Sequence, residues 1–137
     1  MEDNNFSLVN LTKIKTKELA LPTGRQAFVV IKNDILGKKY NLSIVFVSEK
    51  KSREINKKYR DKDKSTNILS FPLSKTEGEI LLCPALIKRE TKKFERNFRE
   101  LLGYLVIHGC LHLKGMEHSS RMDKEEEKYD KKYFSRN

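Results

Sequence analysis

The chain has 137 residues, 37% of them hydrophobic and 35% charged, and 29 Lys+Arg against 19 Asp+Glu give it a formal charge of +10. That length suits one domain, residues 1–137, with a real core, since chains near this size hide roughly two-thirds of their unfolded surface. There is no apolar run of about 18 residues to cross a membrane, and Cys83 and Cys110 lack the spacing of a disulfide or C-x-x-C framework, so both read as reduced, buried thiols. The positive excess favours a polyanionic partner. Met1–Asn5 is acidic and polar, without the basic and apolar regions of a secretory leader, so a cytoplasmic protein is expected.

Along the chain, Phe6–Leu11 alternates as a short strand. Pro22-Thr23-Gly24 punctuates, and Phe28, Ile31 and Ile35 then recur at helical spacing up to Gly37, a C-cap. Leu42–Val47 is a continuous, β-branched apolar run and predicts a buried strand. Ser48 caps a helix to about Tyr59 that turns Ile55 and Tyr59 inward. Ile68–Leu73 and Glu79–Cys83 read as strands joined by a hairpin-length link containing Gly78. Pro84 opens a further helix at N1, with Leu86, Ile87, Phe94 and Phe98 directed to the core. From about Arg99 to Leu113 a helix is apolar nearly all round (Leu101, Leu102, Leu105, Val106, Ile107, Leu111), which predicts a central, buried position. The last helix, about Ser120–Phe134, carries a narrow stripe at Met122, Tyr129 and Tyr133, with Glu127–Lys131 pairing outside it. Elements in this order predict an α+β fold: a small mixed four-stranded sheet packed with about five helices.

All three histidines fall between positions 108 and 118. His108 and His112 stand four apart on the buried helix, so their rings share one face, a spacing at which two imidazoles converge on one ion. Gly115 follows where that helix ends and can reverse the chain, bringing His118 to the same point. Three imidazoles buried without a partner would cost on the order of several kcal/mol. A divalent ion on His108, His112 and His118 is therefore expected, with Zn2+ the first choice. Cys110, about 200° round the helix from either neighbour, points away. Three ligands with a vacant position match a catalytic rather than a closed structural ion.

The spacing is shared with the metzincin peptidase pattern H-E-x-x-H-x-x-G-x-x-H, but Gly109 stands where that pattern has its general-base glutamate, which argues against a peptidase.

His108-Gly109-Cys110-Leu111-His112-Leu113-Lys114-Gly115-Met116-Glu117-His118 resembles the signature of the YbeY family, bacterial rRNA maturation endoribonucleases. Asn56-x-x-Tyr59-Arg60-x-Lys62-Asp63-Lys64-Ser65-Thr66-Asn67-Ile68-Leu69-Ser70-Phe71-Pro72 and Gly78-Glu79-Ile80 are similar to two further elements of that family. The likeness runs from about Leu42 to Glu127. Glu79 and Glu117 stand where the family usually has Asp, each lengthening the arm by one methylene. The resemblance implies an ion on the three histidines and single-strand-specific endoribonuclease activity. It also implies a role at the 3′ end of small-subunit rRNA and in ribosome quality control, with single-stranded rRNA and the small subunit as partners.

In that chemistry the ion, held through His108 and its companions, would polarise a phosphate oxygen and acidify a water. Arg60 is the residue expected to stabilise the charge that builds on phosphorus. Glu117 is the carboxylate nearest the histidines in sequence, as a base or as an orienter of a ligand. Lys57, Lys58, Lys62, Lys64 and Thr66 are the expected RNA contacts. A non-catalytic assembly factor with a structural ion remains the competing reading, since an RNA-guiding basic face serves both.

Overall fold

The computed structural model describes residues 5–19 and 24–134; the acidic start at residues 1–4 and the Pro22-Thr23 punctuation lie outside the described residues. Strand β1 (Phe6–Asn10) leads through a 3-10 turn (Thr16–Leu19) to α1 (Arg25–Leu36). Then come β2 (Asn41–Phe46), α2 (Glu49–Arg60), β3 (Ile68–Ser74), β4 (Glu77–Leu82), α3 (Pro84–Glu90), α4 (Phe98–Leu113) and α5 (Ser120–Phe134). The sheet order is β1-β2-β4-β3, parallel across the first two pairings and antiparallel in the last. It is the mixed four-stranded sheet of an α+β fold. No helix among the described residues is long and apolar enough to cross a membrane.

Alternation along β2 divides the core. Leu42, Ile44 and Phe46 are fully buried and join Phe6, Ile80 and Leu82 against α1, α4 and α5. Val45 and Val47 face the other way, into a smaller cluster with Leu69, Leu81, Ile55 and Phe71. The apolar run of β2 is thus sealed on one face and half covered on the other. Strand β3 lies at the edge, where Pro72 is tolerated because its missing N–H costs no inner ladder bond. Strands β3 and β4 run deeper into their link than the sequence suggests, with Ser74 opposite Glu77.

Helix α4 is central, as its composition predicts: Leu101, Leu102, Val106, Cys110 and Leu111 are fully buried. Each large aliphatic sealed this way contributes roughly 1.5–3 kcal/mol. Its start is fixed by a capping box that the sequence reading passed over. Asn97 accepts from the Glu100 amide at 2.8 Å, and the Glu100 side chain accepts from the Asn97 amide at 3.2 Å. Two aromatic expectations are corrected. Tyr59 is 61% exposed, because the inner positions of α2 are the polar Ser52 and Asn56. Phe94 is 41% exposed, because α3 stops at Glu90 and the chain turns through Glu95 at φ 53 before α4 begins.

Replacing Asn97 by Ala removes one of the two reciprocal cap bonds. The expected loss is about 1 kcal/mol in denaturant unfolding, with an unchanged m-value.

Candidate metal centre

Position 109 decides how closely α4 can pass the sheet. A Cβ there would stand 2.8 Å from Ile80 Cδ1 and 3.1 Å from both Ile68 Cδ1 and Ser70 Oγ. Glycine lets the helix lie against β3 and β4, which sets His108 and His112 beside the edge strand. A side chain at 109 would crowd Ile80, Ile68 and Ser70, so the position is a poor one for the glutamate that the peptidase pattern needs.

The helix ends in a Schellman turn. The Met116 amide donates to Leu111 at 3.1 Å, and the Gly115 amide to His112 at 2.9 Å, with Gly115 at φ +106. This reversal returns His118, whose ring centroid lies 5.2 Å from that of His108 and 4.8 Å from that of His112. One ligand atom from each of the three lies within 4.8 Å of the others, so the group could hold a metal ion.

The outward ring nitrogens fix the tautomers. His108 Nδ1 is bonded to the Glu126 carboxylate, and His112 Nδ1 lies 3.0 Å from the Met116 carbonyl. Both acceptors take a proton from Nδ1, so in the neutral rings both Nε2 atoms carry lone pairs. Those two atoms stand 3.0 Å apart. Facing lone pairs repel unless a proton or a metal ion lies between them, and two nitrogens on one tetrahedral zinc stand roughly 3.3 Å apart. The donor set therefore fits a divalent ion.

Burial, followed by the neighbouring His108, pushes the His112 pKa below its ordinary value against the opposing pull of the Met116 carbonyl. A proton is thus a poor substitute for the metal at that ring. Cys110 is fully buried on another side of α4, where burial pushes its thiol up to about 12 and keeps it protonated.

Glu126 is the residue that sequence reasoning missed. It sits on the α5 stripe between Met122 and Tyr129, buried with both. Burial opposes its ionisation, but bonds from His108 and Tyr104 outweigh this and hold its carboxyl below the usual range. Tyr104 donates its hydroxyl to Glu126 at 2.6 Å; burial first, then this bond, raises its pKa, so it remains a donor. The available signal was a carboxylate on the apolar stripe of an amphipathic helix.

A cleft of roughly 520 Å³ opens on the histidines and is also lined by Arg60, Thr66, Ile68, Ser70 and Phe71. Arg60 reaches it because Ser52 and Asn56 tie the loop after α2 back onto the helix. Ser52 Oγ donates to the Thr66 carbonyl at 2.8 Å and accepts from its amide at 2.9 Å, while Asn56 donates to the Lys64 carbonyl at 2.9 Å. Arg53, Arg89 and Arg96 are each bonded to a carboxylate. Among the described residues Arg60 has no such partner and faces the cleft.

The other expected contacts are dispersed. Lys62 and Lys64 line an adjoining cleft that shares Arg60 and Thr66 with the first and adds Lys93. Lys58 lines a groove on the far side of α2, and Lys57 lies 4.0 Å from Asp63. Glu117 is exposed beside His118, in a depression with Lys114 and Arg121, and is not among the residues lining the histidine cleft. That cleft has no carboxylate in its lining among the described residues.

Fold and site together define a class: an α+β domain whose buried helix and the turn after it present three imidazoles, able to hold an ion, to a cleft lined by Arg60. The family model described as Endoribonuclease YbeY matches residues 9–135, and the chain belongs to that family. It is 36% identical over 121 residues to the Endoribonuclease YbeY of Buchnera aphidicola, covering 73% of this chain and 77% of that one. It is 40% identical over 103 residues to the Endoribonuclease YbeY of Lactobacillus helveticus, covering 61% of this chain. The chain spans 59% of the length of the Lactobacillus helveticus relative and a larger share of the Buchnera one. The solution structure of TM1509 from Thermotoga maritima superposes with a TM-score of 0.65 at 26% identity, covering 94% of this chain and 89% of that one.

Two outcomes follow for the metal centre. Glu126→Gln removes the charge behind His108 while keeping an acceptor, and zinc affinity in chelator competition should fall roughly 10–100-fold in a folded protein. For the metal-free protein, His112 has a lower pKa folded than unfolded, so the unfolded chain binds more protons near that range. Stability should therefore be full above about pH 6.5 and decline as pH falls toward the lower folded value, as read by melting temperature across a pH series.

Proposed function

We propose that this chain is a metal-dependent endoribonuclease acting on single-stranded RNA. The observation that carries the proposal is the placing of Arg60, which has no carboxylate partner among the described residues, in the same cleft as His108, His112 and His118. Membership of the YbeY family supports the nuclease class. The net charge of +10 suits a polyanionic substrate. Ribosomal RNA at the 3′ end of the small subunit, ribosome quality control and a cytoplasmic setting complete the reading, and these rest on the family resemblance alone.

Held by the three histidines, a divalent ion, with Zn2+ favoured by the nitrogen donor set, would supply Lewis-acid polarisation of a phosphate oxygen and a more acidic water. The residues of the chain do the rest. Glu126 and the Met116 carbonyl keep the two α4 imidazoles turned so that Nε2 faces the cleft. The Arg60 guanidinium donates paired hydrogen bonds to the phosphate whose negative charge rises in the transition state. Lys62, Lys64 and Lys93 track the neighbouring phosphates in the adjoining cleft, with Thr66 at the junction. Lys57 and Lys58 add long-range attraction. His108 serves as a ligand rather than as a proton carrier, since the ion would take its Nε2 lone pair while Glu126 holds its Nδ1. Glu117 is proposed as a rim carboxylate beside His118, acting through that ligand.

Cleavage of a single-stranded rRNA fragment and metal content, measured together, test this proposal. Arg60→Ala should retain its ion and lose roughly 100–1,000-fold in kcat, the usual effect of removing one transition-state donor. His112→Ala should lose both ion and cleavage. A wild-type protein that binds zinc and never cuts RNA supports the assembly-factor reading instead.

A further inference from the structure

The last turn of α2 sends two consecutive side chains to different places. Arg60 enters the histidine cleft, while Tyr59, about 100° away round the helix, lines a separate groove of roughly 540 Å³. Tyr59 is 61% exposed. Its ring meets that of Phe71 edge-on at 5.6 Å, and Lys58 Nζ stands 5.2 Å from its centroid. Phe71, on the edge strand β3, lines this groove and the histidine cleft alike. The two spaces are therefore joined across the width of one aromatic side chain.

We propose that Tyr59 and Phe71 form a stacking subsite for the nucleobase next to the cleaved phosphate of a single-stranded RNA. This rests on the nuclease reading and deepens it. The groove has the chemistry of a base rather than of a phosphate. Its lining joins two aromatic rings to two carboxylates, Glu54 and Glu79, and two lysines, Lys51 and Lys58. The two signs balance, so a phosphate gains no net attraction there, while the carboxylates can accept a hydrogen bond from the amino group of a base. Glu54 is partly offset by Lys51 at 3.9 Å. The phosphates belong on the opposite side, at Arg60, Lys62, Lys64 and Lys93.

A strand lying across the cleft thus has backbone on the cationic side and a base on the aromatic side. Only an unpaired base can leave its stack to fill such a place at small cost. The subsite therefore accounts physically for a preference for single strands. Tyr59 acts by holding substrate, so its loss should raise KM more than it lowers kcat.

The test uses the full zinc-loaded chain and a short single-stranded RNA, with Kd from fluorescence anisotropy alongside KM and kcat. Tyr59→Ala should raise Kd and KM roughly tenfold, within the range of a lost base–aromatic stack. Tyr59→Phe, which keeps the π-face, should restore the lost affinity, whereas Tyr59→Leu should not. An abasic nucleotide beside the cut should weaken wild type equally and add nothing to Tyr59→Ala. Unchanged RNA affinity in Tyr59→Ala, with Arg60→Ala still impaired, overturns the subsite and leaves the nuclease reading standing. Full affinity in Tyr59→Leu also overturns it, since the groove would then serve apolar contact alone. A wild type that neither binds nor cuts the RNA removes the nuclease reading itself.

Discussion

An imidazole can sit on a buried helix only where another part of the fold takes its N–H. Helix α4 is surrounded by the core, and His108 and His112 lie on its one remaining side. Glu126 on α5 takes the first Nδ1 and the Met116 carbonyl takes the second. With those protons directed outward, the two Nε2 lone pairs face each other and call for a cation. Glu126 is itself costly to bury, and it stays ionised only because Tyr104 and His108 both donate to it. The packing of α5, the turn after α4 and the readiness of the site for metal are one arrangement.

Two glycines and a polar helix face set the distances. Gly109 brings α4 onto β3 and β4, and Gly115 supplies the positive φ that returns His118. Ser52 and Asn56 occupy the inner side of α2 where a sequence reading expects apolar residues, and they bind the backbone of the following loop. This use of buried polar side chains holds Arg60 and Thr66 beside the histidines. Short loops of this kind are positioned by such bonds rather than by packing.

What could be read from the sequence was whatever depended on local periodicity. The near-uniform apolarity of α4 marked it as central, and four-residue spacing followed by glycine marked the histidine group. What could not be read depended on contacts between distant segments. Tyr59 shares a helical face with Ile55, which packs on the smaller cluster as expected, yet one turn further on Tyr59 is left exposed, because the face of α2 turned inward there is the polar one that binds the following loop. Phe94 follows α3 at helical spacing, but the chain leaves the helix before reaching it. Glu126 was visible as a charge on an apolar stripe, and its meaning depended on His108, eighteen positions earlier. Glu117, adjacent to a histidine in sequence, is exposed on the rim beside His118 and outside the lining of the histidine cleft.

X-ray absorption at the zinc edge of the loaded protein checks the three-histidine centre on the ion itself. Three imidazole nitrogens and one further light atom at about 2.0–2.1 Å are the expected shell, with the imidazole scattering lost in step when His108, His112 or His118 is replaced. A sulfur scatterer near 2.3 Å, or fewer than three imidazoles around the ion, would contradict it.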